Sequence, residues 1–429
     1  MPAAPLRLGL AGLGTVGIGV VRIVQAEAEL IAARTGRPVT ITAVSARDRT
    51  KNRDADLSGY AWETDPVALA KREDVDVFVE VMGGHDGPAK AATEAAIAAG
   101  KHVVTANKAL LAHHGQALAE AAEAAGLALR FEAAVAGGIP VIKALTEGLA
   151  GNRIKRVMGV MNGTCNYILT RMQSAGLPYD QVFEEARQLG YLEADPNLDV
   201  GGIDAGHKLS LLAAIAFGTR VAFDAVELEG IGNVSIDDIR LAEDMGYRIK
   251  LLGVAQMTGR GLEQRMTPCL VPADSPLGQL QGGTNMVVLE GDSVGQIVLR
   301  GPGAGMGPTA SAVMADVIDL ARGFRVPTFG IPATQLSDAQ PARAATPAPY
   351  YLRMTLLDKP GALAKIATCL GDAGVSIDQM RQYGHHGANA PVLIVTHKAA
   401  PDDLAHAMAR FAATGVLVGA PVAIRIEEV

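Results

Sequence analysis

The first third of the chain alternates short β-branched apolar runs with stretches of helical period. "LRLGLAGLG" reads as a strand and turn, and "TVGIGVVRIVQ" as the helix that follows. "PVTITAVSARD", "DVDVFVEVMGG", "KHVVTANK" and "LALRFEAAV" repeat the strand signal, with helical patterns between them. Apolar strands in β–α–β order predict a parallel sheet covered on both faces, a doubly wound α/β unit. Beyond about residue 140 the pattern changes. A helix is predicted over Ile139 to Ala150, then a strand and helix in "IKRVMGVMNGTCNYILTRMQ", an α+β arrangement. "NMVVLEGDSVGQIVLRGPGAG" reads as a hairpin and "PTASAVMADVIDLARG" as a helix. "SDAQPARAATPAP" (337–349) lacks periodicity and reads as a linker. Residues 350–429 show a βαββαβ order, a ferredoxin-like plan that is expected to fold apart from the body.

Composition narrows the class. A chain of 429 residues accommodates two or three domains. Its net charge of −7 argues against nucleic acid or an anionic membrane surface as partner. Cys165, Cys269 and Cys369 lie too far apart for a disulfide framework or a metal motif, which fits a reducing compartment. The N-terminus carries no cleavage pattern, and the longest apolar stretch, Leu209 to Phe217, is too short to span a membrane. The expectation is a soluble cytoplasmic protein with a small-molecule substrate.

Four stretches carry chemistry. "GLGTVG" (Gly12, Leu13, Gly14, Thr15, Val16, Gly17) follows a strand and opens a helix. That context makes it a dinucleotide fingerprint, with phosphate at the helix start. At the end of the second strand, where an acid would bind the ribose of NAD, stand Ser45 and Ala46, then Arg47, Arg49 and Lys51. These cations lean towards NADP, while Asp48 leaves NAD open. "TANKALLA" puts Asn107 and Lys108 at a strand's carboxyl end, where ligands bind or a lysine merely caps the strand. In "FEAAVAGGIP", Glu132 beside exposed carbonyls suits a hard cation, or the stretch is a glycine hinge.

"LEADPNLDVGGIDAGHKLSLLAA" is the most informative stretch. Asp204 and Lys208, four apart, share a helix face that continues into Leu211, Leu212 and Ile215. The pair thus heads an apolar stripe beside the acids Glu193, Asp195 and Asp199. A half-buried lysine among acids suits proton transfer with a hydroxyl or carbonyl; a structural ion pair is the alternative. Cys165 reads as a buried structural cysteine.

Together with "FEAAVAGGIPVI", "NGTCNYILT" and "GPGAGMGPTASAV", these stretches closely resemble homoserine dehydrogenase in the form with a C-terminal ACT domain, over nearly the whole chain. "DKPGALAKIA" matches the ACT loop and helix. The resemblance implies interconversion of L-homoserine and L-aspartate 4-semialdehyde with NADP or NAD, in threonine, methionine and isoleucine biosynthesis. It assigns catalysis to Lys208, Lys108 and Asp204, and substrate contacts to Gly190, Glu193, Asp199 and Asp204. It adds Lys108 and Gly305 to the cofactor contacts, and implies sodium held by Glu132, Val135, Gly137 and Ile139. It divides the chain into a Rossmann-like domain (1–138, with 305–325 returning to it), a substrate and dimerisation domain (139–304) and an ACT regulatory domain (350–429). A homodimer or homotetramer and L-threonine as effector follow from it, with deletion after about Ser337 expected to leave the body active. "VMGGHDG" departs from members with serines near the nicotinamide. The rival readings are a non-catalytic amino-acid sensor and another amino-acid dehydrogenase.

Overall fold

The computed structural model describes residues 3–193, 195–384 and 388–429. The first sheet is parallel and has six strands: β1 (Leu6–Ala11), β2 (Val39–Ser45), β3 (Ala61–Glu63), β4 (Val77–Glu80), β5 (His102–Thr105) and β6 (Leu129–Arg130), in the order 3-2-1-4-5-6. The central β4 is buried at every position, as a strand covered on both faces must be. Helix α1 (Thr15–Ala26) follows β1, and α2 (Lys108–Ala124) follows β5. Two differences from expectation appear at the end of this unit. "LALRFEAAV" is a strand only at Leu129–Arg130, because the Glu132 N–H turns away to Asp316 Oδ2 at 2.8 Å. The helix expected over Ile139 to Ala150 is a single α-turn, Val141–Lys143, running into a π-turn at Ala144–Gly148.

The second sheet is mixed. Its strands are β7 (Ile154–Val160), β8 (Glu227–Leu228), β9 (Tyr247–Thr258), β10 (Gly261–Pro272), β11 (Thr284–Gly291), β12 (Gly295–Pro302), β13 (Tyr350–Leu357), β14 (Ile377–Gln382), β15 (Asn389–Thr396) and β16 (Leu417–Ile426). They run 12-11-7-9-10-16-13-15-14, with β8 beside β10. Helices α3 (Gly163–Ala175) and α4 (Ile203–Phe217) pack on this sheet. Helix α5 (Met306–Ala321) packs on α1, so closely that a Cβ at Gly19 would lie 2.7 Å from the Met306 carbonyl oxygen.

The C-terminal βαββαβ segment does not hang free. Its last strand, β16, pairs with β10 at Cys269↔Arg425 and Leu270↔Ile426, making one continuous sheet. Glu427 joins buried Arg265, Arg425 and Arg156 in an ion-pair cluster across the seam, with Arg156 at 2.6 Å. Tyr351, Leu393, Val395 and Ile424 enter the main core. The segment is thus docked on the body, which borders its sheet at β10 and pairs its charges through Arg265 and Arg156. The 337–349 stretch is likewise docked, with the Leu262 N–H donating to Gln340 O at 2.7 Å and Thr346 held by Glu263.

Candidate active site

The carboxyl ends of β1, β4 and β5 face the start of α4 across a cleft of about 1030 Å3. On the first-sheet side, Gly14 is the N-cap of α1. A Cβ at Gly14 would meet no protein atom within 4 Å, whereas one at Gly17 would lie 2.0 Å from Gly12 O. Gly17 therefore permits helix–turn contact, and Gly14 keeps open the approach to the helix N–H groups, the kind of approach a pyrophosphate uses in dinucleotide-binding turns. Thr15, Val16 and Gly305 line the cleft.

The loop after β4 is held from beneath. Buried Glu80 accepts N–H bonds from Met82 and Gly83 at 2.7 and 3.2 Å and the Thr105 hydroxyl at 2.6 Å. Burial outweighs these bonds and pushes its carboxyl pKa up. Asn107 caps α2 by accepting the Leu110 N–H at 3.0 Å and donates to Gly84 O at 2.7 Å. Lys108 then points from the first turn of α2 into the cleft.

On the other side, Asp204 sits in the first turn of α4 with Lys208 one turn on, both buried. Lys208 Nζ donates to Asp204 Oδ2 at 2.6 Å and to Met161 O at 2.8 Å. Lys108 Nζ lies 2.9 Å from Asp204 Oδ1. One carboxylate thus bridges two lysines from different halves of the molecule. Burial alone would raise the Asp204 pKa, but the two ammonium groups prevail and hold it well below the usual carboxylate range. Burial pulls Lys108 down, and Asp204 with Glu193 and Asp199 more than restores it, so the net shift is upward.

The acidic loop divides its labour. Asp199 accepts Asn162 Nδ2 and the Glu193 N–H, each at 3.0 Å, so both its oxygens hold the loop in place. It thereby positions Glu193, and it also lines the cleft. Asp195 caps the Pro196–Val200 turn through the Asn197 N–H at 3.0 Å. Glu193 and Gly190 border the cleft, and burial raises the Glu193 pKa. Cys165 is buried, its thiol pKa raised by desolvation, and it donates to Asp199 O at 3.3 Å, as a structural cysteine.

Three family models match: "Homoserine dehydrogenase, NAD binding domain" over residues 12–132, "Homoserine dehydrogenase" over 140–318 and "ACT domain" over 350–415. A homoserine dehydrogenase of Neisseria gonorrhoeae is 44% identical over 99% of each chain. The chain belongs to the homoserine dehydrogenase family. It is an NAD(P)-dependent oxidoreductase acting on a CH–OH group. A solved homoserine dehydrogenase from Thiobacillus denitrificans superposes with a TM-score of 0.93 at 41% identity, covering 100% of both chains. A hyperthermophilic archaeal homoserine dehydrogenase in complex with NADPH superposes with a TM-score of 0.64 at 26% identity, over 75% of this chain and 98% of its own.

For a homoserine dehydrogenase, the cleft thus gathers Thr15, Val16, Lys108, Gly137, Gly190, Glu193, Asp199, Asp204, Lys208 and Gly305. Arg47, Arg49 and Lys51 lie outside it on the exposed loop after β2. Sequence reasoning passed over Arg53, which fastens this loop to the fingerprint: its guanidinium donates to Leu13 O at 3.2 Å and Asp48 O at 2.6 Å. Trp62 lies against Arg49 and Arg53, at 5.8 and 5.5 Å from ring centre to guanidinium carbon. His207, buried beside Phe223 with ring centres 4.2 Å apart, was also missed. Burial and nearby His113 drive its pKa down to about 4. No single residue type announces these roles; they arise only when distant segments meet.

Among the described residues, no cluster of three or more His, Cys, Asp or Glu side chains is placed to hold a metal ion. The Glu132 carboxylate accepts the Ile142 and Lys143 N–H groups at 3.0 and 2.7 Å, and burial followed by Asp316 raises its pKa to about 7. The buried Val135 and Gly137 have carbonyls without a hydrogen-bond partner among the described residues, while Ile139 O accepts the Val141 N–H at 2.8 Å. Ala136 and Gly137 are consecutive left-handed residues, with φ of 56° and 53°. Oxygen donors and unpartnered carbonyls fit a hard monovalent cation.

Proposed function

We propose that the enzyme interconverts L-homoserine and L-aspartate 4-semialdehyde with Lys208 as the proton donor and acceptor. The supporting observation is the Lys108–Asp204–Lys208 bridge on the cleft wall facing the glycine fingerprint. Two of the three Lys208 N–H groups are engaged by protein, which leaves one for the substrate oxygen. A nicotinamide cofactor, held along the glycine fingerprint at Gly12, Gly14 and Gly17, would accept the hydride from the alcohol carbon or supply it to the aldehyde. As the ammonium, Lys208 protonates the carbonyl oxygen in the reductive direction; as the neutral amine, it takes the hydroxyl proton in the oxidative one. Glu193 receives the substrate ammonium, whose charge also favours the ionised acid. Asp204 supplies its remaining lone pairs to the ammonium and keeps both lysines in place.

The finer assignments rest on the same reading. Arg47 and Arg49 favour NADP through its 2′-phosphate. A sodium ion, if bound, would be held by Glu132, Val135, Gly137 and Ile139 and would stiffen the junction between the sheets. L-threonine would bind the cavity of about 430 Å3 beside the Asp358–Ala362 loop and Gln382, and lower activity as the product of the threonine, methionine and isoleucine route. A homodimer or homotetramer in the cytoplasm belongs to the same reading, and three unpaired buried cysteines agree with a reducing compartment.

The test is Lys208→Ala. Turnover should fall ~10²–10⁴-fold with NADPH binding retained, the span usual for general acid–base groups. Asp204→Asn should raise KM and also lower kcat, since both lysines lose their counter-charge. Near-normal turnover in Lys208→Ala removes that residue from proton transfer.

A further inference from the structure

The amino ends of the parallel strands form a second concavity, on the edge of the first sheet opposite the cleft. The six residues of β1 put about 20 Å between the two. The concavity encloses about 760 Å3, and four arginines face it: Arg7, Arg37, Arg322 and Arg325. The acid there, Asp76, is chelated by Arg7 at 2.7 and 3.0 Å. Each of the other arginines is pinned by one backbone carbonyl, and Arg322 Nη1 also lies 4.0 Å from Asp319 Oδ1. Arg37 Nε donates to Ala4 O at 2.8 Å, Arg322 Nε to Arg34 O at 3.1 Å and Arg325 Nη1 to Gly126 O at 3.1 Å. A guanidinium is a rigid plane with five N–H donors. One anchor therefore orients each fork and leaves most of its donors available.

His102 adds a neutral donor. Its Nδ1 accepts the Ala128 N–H at 3.0 Å, which places the ring proton on Nε2. Burial and Arg325 hold its pKa below the usual histidine range. The lining is thus donor-rich, on a chain of net charge −7. Leu6, Leu320 and Ala321 supply an apolar floor. The volume lies in the range of small-molecule sites, roughly 300–1,000 Å3, and arginine forks match phosphate oxygens two at a time.

We propose that this concavity binds a small molecule carrying a pyrophosphate group, at a site separate from the cofactor cleft. Inorganic pyrophosphate is the probe, titrated calorimetrically into full-length enzyme saturated with NADPH, so that the glycine fingerprint is already filled. One site per chain is expected. Arg322→Ala/Arg325→Ala should weaken its Kd at least tenfold and leave kcat for homoserine unchanged. Arg187→Ala/Arg410→Ala removes the same charge from exposed ion pairs elsewhere and should bind as the parent does. Should the first pair fail to fold, Arg325→Ala alone decides by the same comparison, with at least a threefold loss expected. No heat from the parent at millimolar pyrophosphate, an unchanged Kd in the concavity variants, or an equal loss in the control pair would overturn the site.

Discussion

In the Lys108–Asp204–Lys208 unit, the protonation of Lys108 and Asp204 is set by burial working against proximity. Next to it, His207 shows burial winning. Its folded pKa of about 4 lies below the ordinary histidine value of about 6.5. Between those values the unfolded chain binds a proton that the folded chain refuses, so stability rises with pH through this window and is lost as pH falls from about 6.5 to about 4. Through His207 alone, going from pH 7.5 to 5 should remove about 2 kcal/mol. His207→Gln should lack that increment in urea denaturation at the two pH values; identical losses would show that His207 does not carry it. Arg47 and Arg49 make a second prediction. A charge-assisted contact contributes about 1.5–3 kcal/mol, so Arg47→Ala/Arg49→Ala should weaken NADPH ~10–100-fold and NADH by much less. Equal losses for both cofactors would mean the loop does not read the 2′-phosphate. The Asp204/Lys208 pair was legible in sequence because i,i+4 charges heading an apolar stripe are unusual. Arg53, the Met161 carbonyl and the neutral state of His207 were not, since each depends on a partner far along the chain.

At the scale of elements, the strand–glycine–helix turn separates two glycine roles that a sequence pattern merges. Gly14→Ala adds a methyl into open space at φ −80°, which any residue adopts. It should leave Tm within about a degree yet weaken cofactor binding, because the methyl occupies the pyrophosphate approach. Gly17→Ala drives a carbon against Gly12 O at 2.0 Å and should cost Tm several degrees as well. Fluorescence titration with NADPH and thermal melts distinguish them; equal Tm losses would contradict the assignment. The alternation of apolar strands and helices made the first sheet readable, because buried parallel strands leave continuous apolar runs. The short β3 escaped notice, as three partly buried residues carry too little pattern. Nothing local showed that β16 would pair with β10, for strand pairing records a meeting of edges and not a property of either segment.

For the whole molecule, that pairing changes what truncation means. Deletion after Ser337 removes β16 and Glu427, opens the edge of β10 and leaves buried Arg265 without one of its two acids. The shortened chain should aggregate or melt well below the parent. Glu427→Gln, which keeps the fold complete, should cost about 3–5 kcal/mol, as for other broken buried pairs. A truncated enzyme with the parent's Tm would refute this. The proposed threonine control is therefore better examined in the full chain, where Asp358→Ala should relieve any inhibition of initial rates without changing uninhibited turnover; undiminished inhibition would place threonine at the substrate site.

The same seam has a consequence for synthesis. Arg265 and Glu427 are 162 positions apart. A ribosome adding about 5–20 residues per second finishes β10 roughly 8–30 s before its partner strand exists. Throughout that interval the part of the β10 edge that β8 does not cover stays unpaired, a template for other chains. The enzyme's yield in a cell should accordingly depend on how that edge is shielded during translation, and slowing elongation between β10 and β16 should lower the soluble fraction even though the finished protein is unchanged.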